Sequence, residues 1–197
     1  MSAPTVTPEA IRKFWFEEAG SAAWYRVSPD FDARMRRRFA GSIEREAAVL
    51  RTGDHPWQDD ADDALALILM FDQFPRNIWR GSGKAFAFDA LARQVARGMI
   101  ERGFDYAIDE SRRAFVYMPF MHSEALADQD YCVELAAERL KSQGTHDHAV
   151  KHREVIRRFG RFPYRNEALQ RETTPEEADY LKHGGYAPGR IDSAKKT

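Results

Sequence analysis

The sequence predicts an all-α fold of about seven to nine helices without a sheet, and three observations carry that expectation. Apolar residues recur at three- and four-residue steps in nearly every segment, as in Phe31, Met35, Phe39, Ile43, Ala47 and Leu50, which share one helix face. Thr7-Pro8, Ser28-Pro29 and Thr174-Pro175 each place a capping hydroxyl before a proline, the pairing favoured where a helix begins. No stretch shows the strict alternation of a half-buried strand. At 197 residues the chain is long enough for one core and short for two. No low-complexity linker divides it, so we expect a single helical domain over residues 1–185 and a polar tail over 186–197.

In order along the chain, a short helix should run from Pro8 to about Glu18, and a second from Pro29 to the loop at Gly53–Pro56. Asp59 and Asp60 supply acceptors and negative charge for the next start. Ala64 to Phe71 is apolar all round, as befits a central helix, which Pro75 should end near Phe74. Ser82 or Gly83 opens a helix with Phe88, Leu91, Val95 and Met99 inward, stopped by Gly103. A short segment, Arg112 to Met118, should break at Pro119. Ser123 is placed to cap a helix with the stripe Leu126, Val133, Ala137 and Leu140, ended by Gly144. The following helix carries Ala149, His152, Ile156 and Phe159 and breaks before Pro163. Thr174-Pro175-Glu176-Glu177 reads as a capping box, and its helix ends by Gly184.

Composition narrows the partners. With a net charge of −1 the chain has no overall field for gathering nucleic acid or anionic membrane, so neither is an expected partner. Its longest apolar run, Ala64 to Phe71, is far below the roughly 20 residues that span a bilayer. The N-terminal residues lack the basic start and apolar run of a secretory signal, which makes the cytoplasm the expected location. A lone cysteine, Cys132, excludes a disulfide within the chain and a cysteine-based metal cluster, and its place beside an apolar stripe suggests an inert thiol. No cofactor and no metal site is expected. The basic residues are 23 Arg and 7 Lys, a bias that suits planar anions but also follows from GC-rich coding.

Four polar clusters stand out. Asp72, Gln73, Arg76, Asn77 and Arg80 surround a proline-marked helix end, where they either converge on an anion or pair among themselves. The neighbouring Gly81-Ser82-Gly83-Lys84 is no phosphate loop, because Ile78 and Ala85 occupy the required glycine and hydroxyl positions. His122, Ser123 and Glu124, with Asp128 and Gln129 a turn on, either hold an acid–base pair or complement a helix start. His146, His148 and His152 include a one-turn pair, yet Ala149 stands where a zinc protease has its glutamate, which favours a core histidine at 152. Arg161, Arg165, Asn166 and Arg171 repeat the logic of the first cluster. Phe71 to Asn77 and Phe159 to Asn166 both read as a helix end, a Phe-Pro and an Arg-Asn, as two stacked helical half-units would.

At the first, second and fourth clusters the chain resembles the uncharacterised bacterial family catalogued as domain of unknown function 924. Leu69 to Arg80, Tyr117 to Glu124 with Asp128-Gln129, and Phe159 to Asn166 carry the resemblance, which extends from about Thr7 to Gly184. It implies antiparallel helical pairs stacked in a tetratricopeptide-like array and no known activity. The family's polar positions map to Asp72, Gln73, Arg76, Asn77, Arg80, His122, Glu124, Gln129, Arg161, Arg165 and Asn166. Two departures are Tyr164, where the family commonly has His, and Gln170, where it has Gly. The expectation is a domain that binds an anionic small molecule or a peptide carboxylate through Asp72, Gln73, Arg76, Asn77, Arg80, Gln129, Arg161, Arg165 and Asn166. Two alternatives stand beside it. One is a small enzyme on an anionic substrate with His122 and Glu124 as its acid–base pair, and the other is a purely structural role for the polar turns.

Overall fold

A computed structural model describes residues 6–24 and 27–188; all regular structure among them is helical, with no strand. The expected tail lies outside the described residues beyond position 188. In chain order the helices are α1 (Pro8–Lys13), α2 (Ser21–Trp24), α3 (Pro29–Thr52), α4 (Ala61–Ile68), α5 (Phe74–Ile78), α6 (Asp89–Glu101), α7 (Glu110–Met121), α8 (Leu126–Arg139), α9 (Gln143–Phe159) and α10 (Pro175–Lys182). Wide π turns follow α1 (Phe14–Ala19) and α4 (Leu69–Gln73), and 3₁₀ turns precede α4, α6, α7 and α10.

The starts are set by side chains. Thr7, Ser28, Asp60 and Thr174 each accept a hydrogen bond from a free backbone N–H at the beginning of α1, α3, α4 and α10. Glu177 returns the favour to Thr174 N–H, completing the capping box. Each such cap contributes about 1 kcal/mol.

The run Ala64 to Phe71, apolar on every side, is buried on every side, and the burial continues through Asp72 and Gln73 of the π turn. Helices α1, α6 and α7 pack around α4. Phe14, Phe39 and Phe74 meet at ring distances of 4.8–6.0 Å, and Trp15, Trp24 and Phe115 extend the knot. Each such ring or branched chain, fully buried, contributes roughly 1.5–3 kcal/mol. From α6 to α9 the helices pack in chain order.

Several boundaries depart from the sequence expectation. The chain does not break at Phe74-Pro75. The π turn carries the helix through, with Phe74 N–H bonded five residues back to Leu69 O, and Pro75 sits in the first turn of α5, where its missing N–H has no intrahelical partner to lose. Helix α7 likewise runs past Pro119 to Met121. Gly83 opens only a 3₁₀ turn, Gly83–Phe86, and α6 starts at Asp89. Ser123 does not cap α8, whose N-cap position is Ala125; its hydroxyl accepts from Ala125 N–H in the connecting turn. The face of α8 that turns inward is Gln129, Cys132, Leu135 and Ala136, while Leu126 is 43% exposed. The cause is Gln129, whose amide donates to Phe120 O, Met121 O and Ser123 O at 3.4, 2.7 and 2.6 Å, closing the end of α7. A polar residue doing a buried capping task rotates the helix away from its apolar pattern. Gly144 lies in the first turn of α9, which Ser142 caps.

Candidate functional site

The π turn after α4 presents Asp72 to the interior, where it is fully inaccessible. Three groups hold its carboxylate: Gln73 Nε2 at 2.5 Å, Arg76 Nη1 at 3.2 Å, and His122 Nδ1 at 2.8 and 3.0 Å. Burial raises its proton affinity, but Arg76, His122 and these hydrogen bonds outweigh it and bring its pKa down to about 2. Arg76 also donates to the Asp72 backbone carbonyl and forks onto both oxygens of Asp89 at 3.0 Å each. Asp89 is the first residue of α6, where the helix dipole favours a negative charge.

His122 ends α7, with its side chain 15% exposed. Burial, together with Arg76 and Arg165, lowers its pKa below the ordinary 6.5 despite the Asp72 carboxylate, so the ring is neutral at pH 7. An ionised Asp72 only accepts, so Nδ1 carries the proton and Nε2 holds a lone pair. No described residue donates to that lone pair.

Its neighbour is His152 on α9, 3% exposed, with ring centroids 6.0 Å apart. His152 Nδ1 lies 2.8 Å from His148 O, a carbonyl that can only accept, so here too Nδ1 is the donor. Burial lowers the His152 pKa to about 3, and its Nε2 is a buried lone pair without a partner among the described residues.

The second Phe-Pro turn completes the cluster. Gly160, in the left-handed conformation at φ 68°, ends α9 and lets the chain double back. Phe162 is wholly buried, and Pro163–Arg165 forms a 3₁₀ turn. Arg165 is 4% exposed, with its guanidinium carbon 4.4 Å from the Phe162 ring and 4.6 Å from that of Phe86. Its nearest charge is Asp89, 3.8 Å from Nη1, beyond hydrogen-bond reach. No described residue accepts a hydrogen bond from this guanidinium, and Nε is buried without a partner. Asp89 thus stands between Arg76 and Arg165.

Other expected site residues lie elsewhere and are spoken for. Asn77 and Arg80 both donate to Asp32 of α3, at 3.1 Å and at 2.9 and 3.2 Å. Arg161 forks onto Glu177 at 2.6 and 2.9 Å, and Asn166 donates to the same carboxylate at 3.1 Å. Gln129 closes α7, as described. Glu124 is not the partner of His122: it accepts from Phe162 N–H at 2.9 Å and from both terminal nitrogens of Arg171 at 2.7 and 3.0 Å. The backbone donor and the guanidinium fork of the second turn take both of its oxygens, and the carboxylate that orients His122 comes instead from Asp72.

Asp89 and Phe86 went unnoticed in the sequence. Asp89 follows an aromatic at a helix start and looks there like a dipole-complementing acid. Beside the cluster, Gly81–Lys84 and Glu167–Gln170 line a cleft of about 600 Å³. The approach here is close: a Cβ on Gly83 would lie 3.1 Å from Ala168 O. Gln170 in the same cleft wall has φ 54°, in the left-handed region. Cys132 is buried, and burial raises its pKa to about 12, which makes it inert. Among the described residues no three His, Cys, Asp or Glu side chains are grouped to hold a metal ion, and no helix is long and apolar enough to cross a membrane.

A family model described as a bacterial protein of unknown function (DUF924) matches residues 11–185. A solved structure of a protein of unknown function from Agrobacterium tumefaciens is similar throughout: 41% identity, 90% of this chain and 97% of that chain covered, TM-score 0.82. No curated protein matches the chain.

Proposed function

We propose a ligand-binding role for this chain, which belongs to the bacterial family of unknown function DUF924. The ligand is a small anion, and the site is the cluster of Arg76, His122, His152 and Arg165. The observation that carries this reading is Arg165. A guanidinium never loses its charge in a protein, and burying one without a hydrogen-bond acceptor costs several kcal/mol. Arg165 is 4% exposed, wrapped in aromatic rings, and offered no acceptor by any described residue. A carboxylate or phosphate oxygen supplies what it lacks. The other polar turns, held by Asp32, Glu124 and Glu177, fix the helices around this point.

The test is a thermal-shift and calorimetric screen of anionic metabolites against the wild type and Arg165→Met. An anion at a hundred times its Kd should stabilise the wild type by about 2.7 kcal/mol and leave the variant unmoved. Equal stabilisation of both proteins, or none of the wild type, counts against the site.

The Asp72–His122 pair favours a second reading, in which the same site performs acid–base chemistry on its anionic ligand. A neutral imidazole, oriented through Nδ1 by a buried carboxylate and with Nε2 unencumbered, is arranged as a general base. On this reading Asp72 fills the role first considered for Glu124. Turnover of a ligand found in the screen, lost in His122→Gln while binding survives, would support it; binding without turnover leaves the first reading.

A further inference from the structure

We propose that the ligand is an anion that also carries a proton to donate: a hydrogen phosphate or a hydroxy-carboxylate, rather than an aprotic anion such as sulfate or a simple carboxylate. The inference rests on the binding reading above and deepens it. It follows from a donor and acceptor account of the cluster's unused polar atoms.

The donors come first. Arg165 brings N–H groups that no described residue accepts, Nε among them buried. Arg76 adds nothing comparable, since Asp72 and Asp89 already engage it. The ligand must therefore offer at least one acceptor oxygen, and the arginine's charge favours a negative one.

The acceptors are the less expected half. Two imidazole nitrogens have lone pairs with no donor among the described residues: Nε2 of His122 and Nε2 of His152. Both tautomers are imposed from behind, one by the Asp72 carboxylate and the other by the His148 carbonyl, neither of which can donate. The rings stand 6.0 Å apart, and His152 meets Phe162, the ring that also stacks on Arg165, at 5.6 Å. An anion whose oxygens are all lone pairs would set them against these lone pairs and leave His152 unsatisfied in a buried setting. One that carries an O–H answers both sides at once.

Sites that hydrogen-bond a ligand hydroxyl reject analogues lacking it strongly, by up to about 10⁴–10⁵-fold where the pairing is fully buried. His122 is partly exposed, so a smaller ratio is appropriate here, about a hundredfold or less.

Calorimetric titration at pH 7.5 with inorganic phosphate and inorganic sulfate compares two tetrahedral anions, of which only phosphate retains an O–H. A second pair, glycolate and acetate, repeats the comparison on carboxylates. The expected result is tighter binding of phosphate over sulfate and of glycolate over acetate, by tenfold or more. In His152→Phe, which keeps a ring in the aromatic setting but removes the lone pair, the ratio should fall toward one. In Arg165→Lys both members of a pair should weaken together. Sulfate bound as tightly as phosphate, with both lost in Arg165→Met, overturns the donor requirement and leaves the anion site standing. If none of the four probes binds in an Arg165-dependent way, the site reading fails, and this inference fails with it.

Discussion

The two Phe-Pro turns of this chain are near echoes in sequence and opposites in chemistry. Each places an arginine and asparagine after a proline and commits the asparagine to a carboxylate from another helix: Asn77 to Asp32, Asn166 to Glu177. The arginines then diverge. Arg76 lies between two aspartates and is held by both, whereas Arg165, its neighbour across Asp89, hydrogen-bonds neither and has only a 3.8 Å ion pair to Asp89. The geometry behind them differs too. The first turn continues a helix through a π turn and keeps Arg76 one turn from Asp72. The second follows a left-handed glycine that takes Arg165 off its helix and into the aromatic rings. The comparison teaches that an Arg-Asn signature specifies the asparagine's structural task but not the arginine's, which depends on who supplies the carboxylate.

The sharpest way to break this comparison is to remove each arginine in turn. Arg76→Met leaves Asp72 without its arginine and Asp89 with only the more distant Arg165, and should cost about 3–5 kcal/mol in urea unfolding, as loss of one partner from a buried pair does. Arg165→Met removes a buried guanidinium that no described residue hydrogen-bonds and whose carboxylate neighbour, Asp89, stands 3.8 Å away, so in ligand-free protein it should cost much less than Arg76→Met. Equal losses in the two variants would show that Arg165 has structural partners after all.

Acid sharpens it next. His122 and His152 have folded pKa values below their ordinary 6.5, so the unfolded chain binds protons that the native one refuses. Their contribution is complete above about pH 6.5 and is lost as pH falls below it, for His152 down to about 3. Asp72, with a folded pKa of about 2, adds a further loss below its ordinary 3.8. Unfolding free energy should therefore decline from pH 7 to pH 4 by on the order of a few kcal/mol, and His152→Phe should flatten that slope. An unchanged slope in the variant would mean that His152 titrates normally.

The asparagines are expected to behave alike. Asn77→Ala and Asn166→Ala should each cost about 1.5–3 kcal/mol in the same assay, reflecting a hydrogen bond to a charged acceptor. A large gap between them would undo the structural half of the comparison. The smallest effect belongs to the second turn alone. Gln170 sits at φ 54°, a conformation that costs an L-residue roughly 1–2 kcal/mol, so Gln170→Gly should raise stability slightly, by about 0.5–1 kcal/mol after the entropy of glycine is subtracted. A decrease in Tm would show that its side chain contributes more than its backbone costs.

How much of this was legible depends on whether a residue's partner is local. Caps at Thr7, Ser28, Asp60 and Thr174 involve neighbours three residues away, and the sequence reveals them. The buried stripe of α3 and the all-round burial of the run Ala64 to Phe71 follow from the apolar pattern alone. The inward face of α8 was misread because Gln129 is polar yet buried, and no periodicity records a carbonyl twenty or more ångströms of chain away from its donor. The site divides in the same way. Asp72, Arg76, His122 and Arg165 could be singled out by type and clustering. That His122 pairs with Asp72 rather than with nearby Glu124 is a contact across fifty residues, and that Asp89 links the two arginines is another property of packing. Proline misled twice, at 75 and 119, because a single missing N–H is absorbed by a first turn or by surrounding packing.

The π turn at Leu69–Gln73 has one more consequence. A five-residue loop closure in place of four means that this stretch holds one residue more than a regular helix of the same rise. Removing one residue there would restore the ordinary four-residue ladder and close the widened turn that presents Asp72 to the interior. The cluster is thus written in length as much as in composition, and a sequence could keep every polar residue of this site and lose the site through a single deletion.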